Sequence, residues 1–269
     1  MDASAAVRRV TGATVLAAAG LLLAACAPAD PADPAERSPE RMSALTGELT
    51  VYAAASLMGA FDEIAAGFAA ENPGVTVKPT VYGGSSALVA QLAEGAPGDV
   101  FASADEATMA TAAEAGLLAV DAALVATNTL VIVVPDGNPA NVQTLQDLAR
   151  SDVLFVRCAP EVPCGAASER LLAAAGVEAQ PVSLEQNVAA VLTKVSAGEA
   201  DAGLVYRTDL YGREDVESIV PEGALEVVNR YQIAPLADAS NPVVASAFAA
   251  YVTAPRSQAV LAKYGFGAP

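Results

Sequence analysis

The chain predicts an α/β fold of mainly parallel sheets covered by helices, and three observations carry that prediction. From Glu48 onward, short apolar runs alternate with stretches of helical period, the order expected of repeated βα units. The apolar runs, TNTLVIVVP above all, lack polar alternation, as strands buried on both faces do. The chain has 269 residues, 54% hydrophobic and 17% charged, enough for one large core or two modest ones.

The elements follow in order. ELTVYAAA reads as a strand, and Leu57, Phe61, Ile64 and Phe68 recur at helical spacing to about Glu71. VTVKPTVYG is a second strand, followed by a helix from Ser86 to about Glu94. DVFASA is a strand, and ADEATMATAAEAG a helix ended by Gly116. TNTLVIVVP is a strand, TLQDLAR a short helix, VLFVRCA a strand, and CGAASERLLAAAG a helix ended by Gly176. After a loop, NVAAVLTKVSAGE is a helix and AGLVYRT a strand. LEVVNRYQIAPLA is extended, and NPVVASAFAAYVTAPRSQAVLAKYGF forms two final helices. No internal repeat is visible.

The N-terminus carries Arg8 and Arg9, then the apolar run VTGATVLAAAGLLLAA up to Cys26. This is short for a membrane span and has the layout of a signal peptide, residues 1–25. Leu23-Ala24-Ala25-Cys26 resembles a bacterial lipobox, in which Cys26 is lipidated and becomes the mature N-terminus. Residues 26–47, rich in Pro, Ala and acid, read as a disordered tether. The chain is therefore expected to be exported and lipid-anchored to the outer face of the cytoplasmic membrane. In that compartment Cys158 and Cys164 are expected to pair as a disulfide.

Net charge is −17, which repels nucleic acid and gives no attraction to anionic lipid. The chain has no His, so the usual catalytic triads and His-based metal sites are unavailable. Gly83-Gly84-Ser85-Ser86-Ala87 nearly matches a nucleophile elbow, but its last glycine is Ala and no base accompanies it. No S-x-x-K, no phosphate-binding G-x-x-x-x-G-K-[ST] loop and no EF-hand spacing occurs. A serine hydrolase is the least favoured reading, and the chain is expected not to be an enzyme or to need a cofactor.

In open α/β sheets ligands bind beyond the carboxyl ends of strands, near helix N-termini. Four such seams are small and uncharged or nearly so: Ala54–Leu57, Tyr82–Ser86, Ala159–Gly165 and Glu185–Val188. Each helix start leaves backbone N–H groups without intrahelical partners and carries about half a positive charge. Serine hydroxyls at the first two seams can donate as well. Converging, these ends would make a cage of neutral donors for a compact, fully deprotonated oxyanion. Taken singly, each seam is explained by capping or turn formation alone. Tyr206, at the carboxyl end of AGLVYRT, could donate a phenolic hydrogen into a cleft or could be a core tyrosine. Arg207, next along the strand, would point the other way.

The stretches VYAAASL, YGGSSALVAQLAEGAPGDVFASAD, APEVPCG, EQNVAAVL, GLVYRTD and KYGF together resemble the periplasmic molybdate-binding proteins, the solute receptors of molybdate ABC transporters. The resemblance spans Glu48 to Phe266. It implies a two-lobed periplasmic-binding-protein fold of type II with a two-stranded hinge. Lobe I would comprise residues 48–128 and 234–269, and lobe II residues 129–233, the chain crossing near Thr127–Val134 and Tyr231–Pro235. It implies a monomer that binds molybdate or tungstate between the lobes and delivers it to ABC permease subunits. Mapped by motif, Ser56 and Ser85 would donate through hydroxyl and backbone, Cys164 and Val188 through the backbone, and Tyr206 through its phenol. Molybdenum would be present only inside its oxyanion, without protein ligands to the metal. Sulfate or phosphate in the same fold is the alternative ligand, and a sensor or adhesion domain an alternative role. Two departures from the family pattern stand out: Gly83-Gly84 where Ala-Ser is frequent, expected to loosen that seam, and Cys158 paired with Cys164, which often is Ala.

Overall fold

The computed structural model describes residues 44–269. The signal sequence, Cys26 and most of the tether lie outside the described residues. At the end of the expected tether, Leu45 packs on the core and β1 (Gly47–Leu49) pairs with β3 (Val75–Val77). The long strand expected from Glu48 is broken at Thr50, whose N–H donates to the buried Asp99 carboxylate at 2.7 Å. Beyond the break, β2 (Val51–Ala54) is fully buried. Likewise VTVKPTVYG divides around Pro79, which has no N–H to give a ladder, into β3 and β4 (Val81–Gly83).

The remaining elements of the first half are α1 (Met58–Glu71), α2 (Ser85–Ala93), β5 (Val100–Ser103) and α3 (Glu106–Glu114). Then comes the long strand β6 (Ala123–Pro135). The second half holds β7 (Phe155–Cys158), α4 (Pro163–Ala174), β8 (Ser183–Glu185), α5 (Val188–Ser196), β9 (Ala202–Tyr206) and β10 (Val216–Ile219). The chain returns along β11 (Val228–Pro235) to α6 (Pro242–Thr253) and α7 (Pro255–Lys263). TLQDLAR, expected as a helix, is a short 3-10 turn over Gln146–Ala149.

The strand order runs β4-β2-β5-β11-β6-β9-β7-β8, with β10 also on β6. Pairs β2–β4, β2–β5, β7–β8 and β7–β9 are parallel, and every pair involving β6 or β11 is antiparallel. Each half is thus a parallel α/β sheet, and the mixed character comes from the two long strands that join them. The core divides accordingly. Leu130–Val134 pack with Phe155, Leu171, Val191 and Val227, whereas Val125, Ala126, Tyr231 and Ile233 pack with Phe61, Phe68 and Phe248. β6 and β11 cross between the cores side by side, with Asn229 paired to Asn128 at the crossing.

Candidate functional site

Each half points the carboxyl ends of its parallel strands at the other. β2 ends at Ala54 and turns into a 3-10 segment, Ala55–Leu57, leading into α1. β4 ends at Gly83 and α2 starts at Ser85. On the other side α4 starts at Pro163, a residue suited to a first turn because its missing N–H has no intrahelical partner there. α5 starts at Val188, capped by Asn187, whose side-chain oxygen accepts from the Ala190 N–H at 3.0 Å. β9 ends at Tyr206.

These ends meet around one small cavity lined by Ala54, Ala55, Ser56, Gly83, Gly84, Ser85, Ala104, Pro163, Cys164, Asn187, Val188 and Tyr206. Ser56, Ser85, Cys164, Val188 and Tyr206, the residues selected from sequence, all lie on its wall. Among the described residues, no charged side chain does. About 10 Å³ of the space is open to the centre of a water molecule; a sphere of that volume, enlarged by a water radius of about 1.4 Å, is about 2.7 Å in radius. That size suits one small, compact guest.

The serines are not caps. Neither makes a side-chain capping bond to its helix. The Ser56 hydroxyl pairs with the Tyr231 hydroxyl at 2.8 Å, and the Ser85 hydroxyl accepts from the Ala104 N–H at 3.1 Å. Tyr206 is 1% exposed, and its hydroxyl accepts from the Asn229 amide at 2.8 Å. Its backbone N–H donates to the Asp209 carboxylate at 2.8 Å. Burial pushes the Tyr206 and Tyr231 phenols well above their usual range, so both stay neutral in ordinary buffers. Arg207 is exposed and donates to the Gly265 carbonyl at 2.7 Å, away from the cavity.

The third seam is pinned covalently by a Cys158–Cys164 disulfide, six residues apart in sequence. Closing so short a loop contributes about 2 kcal/mol on the chain-entropy account. It holds the first turn of α4 against the end of β7, where Gly165 packs so closely that an added Cβ would lie 1.8 Å from the Ala159 carbonyl oxygen.

The second seam is not loose, contrary to the expectation drawn from its paired glycines. A Cβ added to Gly84 would sit 2.1 Å from the Gln186 carbonyl oxygen and 3.3 Å from Val162. Beside it, the Ser86 hydroxyl donates to the Glu161 carbonyl at 2.5 Å. The glycine lets the two halves touch at the mouth of the cavity. Residues that motif reading overlooked are Tyr231, Asn229 and Asn128, buried polar groups on the crossing strands directly behind the wall. A polar residue sharing a strand face with apolar neighbours would have been the signal.

The chain matches the family model of bacterial extracellular solute-binding proteins over residues 49–267. It is 45% identical over 249 residues to the molybdate-binding protein ModA of Mycobacterium tuberculosis, covering 92% of this chain and 93% of that one. Among solved structures it is similar to the periplasmic molybdate-binding protein of Azotobacter vinelandii, with a TM-score of 0.69 at 19% identity, covering 82% and 99% of the two chains. The sulfate-binding protein SubI of M. tuberculosis gives a TM-score of 0.71 at 20% identity, covering 82% and 86%.

Proposed function

The chain belongs to the bacterial extracellular solute-binding proteins and has their two-lobed, type II binding-protein fold, and on that premise we propose that it captures molybdate, and tungstate with it, in the cavity between its lobes. One observation carries this reading: helix starts from both lobes, together with Ser56, Ser85 and Tyr206, line one ion-sized space whose wall, among the described residues, bears no Lys or Arg. The name of the mycobacterial relative, at 45% identity, supports the choice of anion.

The chemistry follows from the donors. Backbone N–H groups near Cys164 and Val188 and at the first two seams, with the three hydroxyls, offer a dianion neutral hydrogen bonds from both sides. Each bond to a charged acceptor contributes about 1.5–3 kcal/mol, and several together offset the loss of the anion's hydration. An oxyanion carrying a proton would set a donor against a donor, so the cage prefers the fully ionised form. The lobes swing on β6 and β11 and close when the anion bridges them. The closed form is what an ABC permease would recognise. Cys26 and the tether after it would hold a monomeric receptor to the membrane's outer face.

Calorimetric titration of the mature protein with molybdate, tungstate, sulfate and phosphate tests the reading. Molybdate and tungstate should bind at least a hundredfold more tightly than the other two. Preference for sulfate or phosphate, or no heat with any of the four, would overturn it.

A further inference from the structure

Three hydroxyl-bearing residues, Ser56, Ser85 and Tyr206, line the cavity, and a hydroxyl can either donate or accept. Each serves an anion only when it donates. The hydrogen bonds behind the wall decide the matter.

Ser85 is the simplest case. Its oxygen accepts from the Ala104 N–H, which can only donate, so the Ser85 hydrogen is free to turn to the cavity. Tyr206 is oriented by Asn229, which is 2% exposed. The Asn229 nitrogen donates to the Ala104 carbonyl at 3.1 Å and to the Tyr206 oxygen at 2.8 Å. The Ala104 carbonyl can only accept, so the amide cannot be reversed without setting oxygen against oxygen. Tyr206 therefore receives a hydrogen at its oxygen, which leaves its own available to a guest.

Ser56 is oriented through a longer chain. The Thr129 N–H donates to the Asn128 side-chain oxygen at 2.9 Å, which fixes the Asn128 nitrogen on the opposite side. That nitrogen donates to Thr208 at 2.8 Å and to the Tyr231 hydroxyl at 3.4 Å. A Tyr231 oxygen that receives this hydrogen is poised to give its own to Ser56, 2.8 Å away, which frees the Ser56 hydrogen for the cavity. Every chain starts at a backbone group whose sense cannot change.

We propose that Asn229, and Asn128 acting through Tyr231, are positioning residues that commit Tyr206 and Ser56 to donation and so make this a site for acceptor-only guests. Asn128 and Asn229 are paired across β6 and β11 at the crossing between lobes, so the strands that bend during closure also aim the donors. This inference rests on the oxyanion reading above and adds residues that do not touch the anion.

The test is a pair of double-mutant cycles on the mature protein, with molybdate affinity read by calorimetry and the unliganded thermal midpoint recorded for each variant. Asn229→Ala should weaken binding about tenfold in the wild-type background and leave affinity unchanged in the Tyr206→Phe background. Tyr231→Phe should behave the same way toward Ser56→Ala, and this second cycle decides the matter if Asn229→Ala does not fold. Equal losses in both backgrounds, as a merely structural asparagine or tyrosine would give, overturn the proposal, as does wild-type affinity in both single variants. Absence of binding by the wild-type protein would instead refute the oxyanion reading itself.

Discussion

Replacing Gly84 by alanine isolates lobe closure from folding. Gly84 has φ −64° and ψ 130°, extended backbone that alanine adopts without strain. Within its own lobe the change should be neutral or stabilise by about 0.4–1 kcal/mol, because alanine has fewer unfolded conformations to lose. Across the cleft the added Cβ would lie 2.1 Å from the Gln186 carbonyl oxygen. Real carbon–oxygen contacts stay beyond about 3 Å, so the lobes must part by about 1 Å. A hydrogen bond of about 2.8 Å stretched by that much ceases to be one. Losing one or two charge-assisted bonds costs about 2–4 kcal/mol, or about 30- to 1000-fold in affinity. The assay is calorimetric titration with molybdate alongside thermal unfolding without ligand. The expected result is a large loss of affinity with an unchanged or higher unliganded midpoint. Wild-type affinity in Gly84→Ala would refute the reasoning, because the lobes would then not need this contact to hold the ion.

Other expectations concern the donors and their setting. Tyr206→Phe and Ser56→Ala should each weaken molybdate binding about 10- to 100-fold by leaving an oxyanion lone pair unmatched, measured by calorimetry; wild-type affinity in both would remove the site assignment. Reducing and alkylating Cys158 and Cys164 should weaken binding several-fold while far-ultraviolet circular dichroism stays unchanged, since α4 would lose the tether that holds its first turn at the cavity; unchanged affinity would show the disulfide to be irrelevant to the site. Affinity should be flat or rise slightly between low and moderate salt, because the donors are fixed dipoles and the net charge of −17 opposes the anion; a steep loss in the same titration would mean that basic side chains attract it. Burial lifts the Asp209 carboxyl to about 7, against the opposing pull of the Tyr206 N–H. Its folded pKa is above its unfolded one, so its contribution to stability is full below about pH 4 and lost as pH rises to about 7. Asp209→Asn, which keeps an oxygen for the Tyr206 N–H, should therefore raise the thermal midpoint more at pH 8 than at pH 4.5; a difference that does not change with pH would contradict this.

Much of the architecture was legible because its signals are local. The helical spacing of Leu57, Phe61, Ile64 and Phe68 and the glycines after several helices mark elements without knowledge of their partners. The seams were legible for the same reason: a small, uncharged strand end followed by a helix start is a sequence feature. Within those seams, the resemblance to molybdate-binding proteins then singled out Ser56, Ser85, Cys164, Val188 and Tyr206. What could not be read depends on tertiary approach. β8 and β10 are short and partly polar, and only neighbouring strands make them strands. Asn229 and Tyr231 sit two apart on β11, facing the same way, but VNRYQ does not announce that this face lies behind a cavity in the other lobe's reach. Gly84 resembled a simple turn glycine. Its function becomes visible only when the Gln186 carbonyl is found against it, about a hundred residues away in sequence.

The central claim is that neutral hydrogen-bond donors from two facing lobes hold a doubly charged oxyanion. A crystal structure of the mature protein with molybdate tests it most directly. The account expects the anion between the lobes, touched by the Ser56, Ser85 and Tyr206 hydroxyls and by backbone N–H groups at Cys164 and Val188. A lysine or arginine in contact with the anion, or molybdate bound anywhere else on the protein, would contradict it.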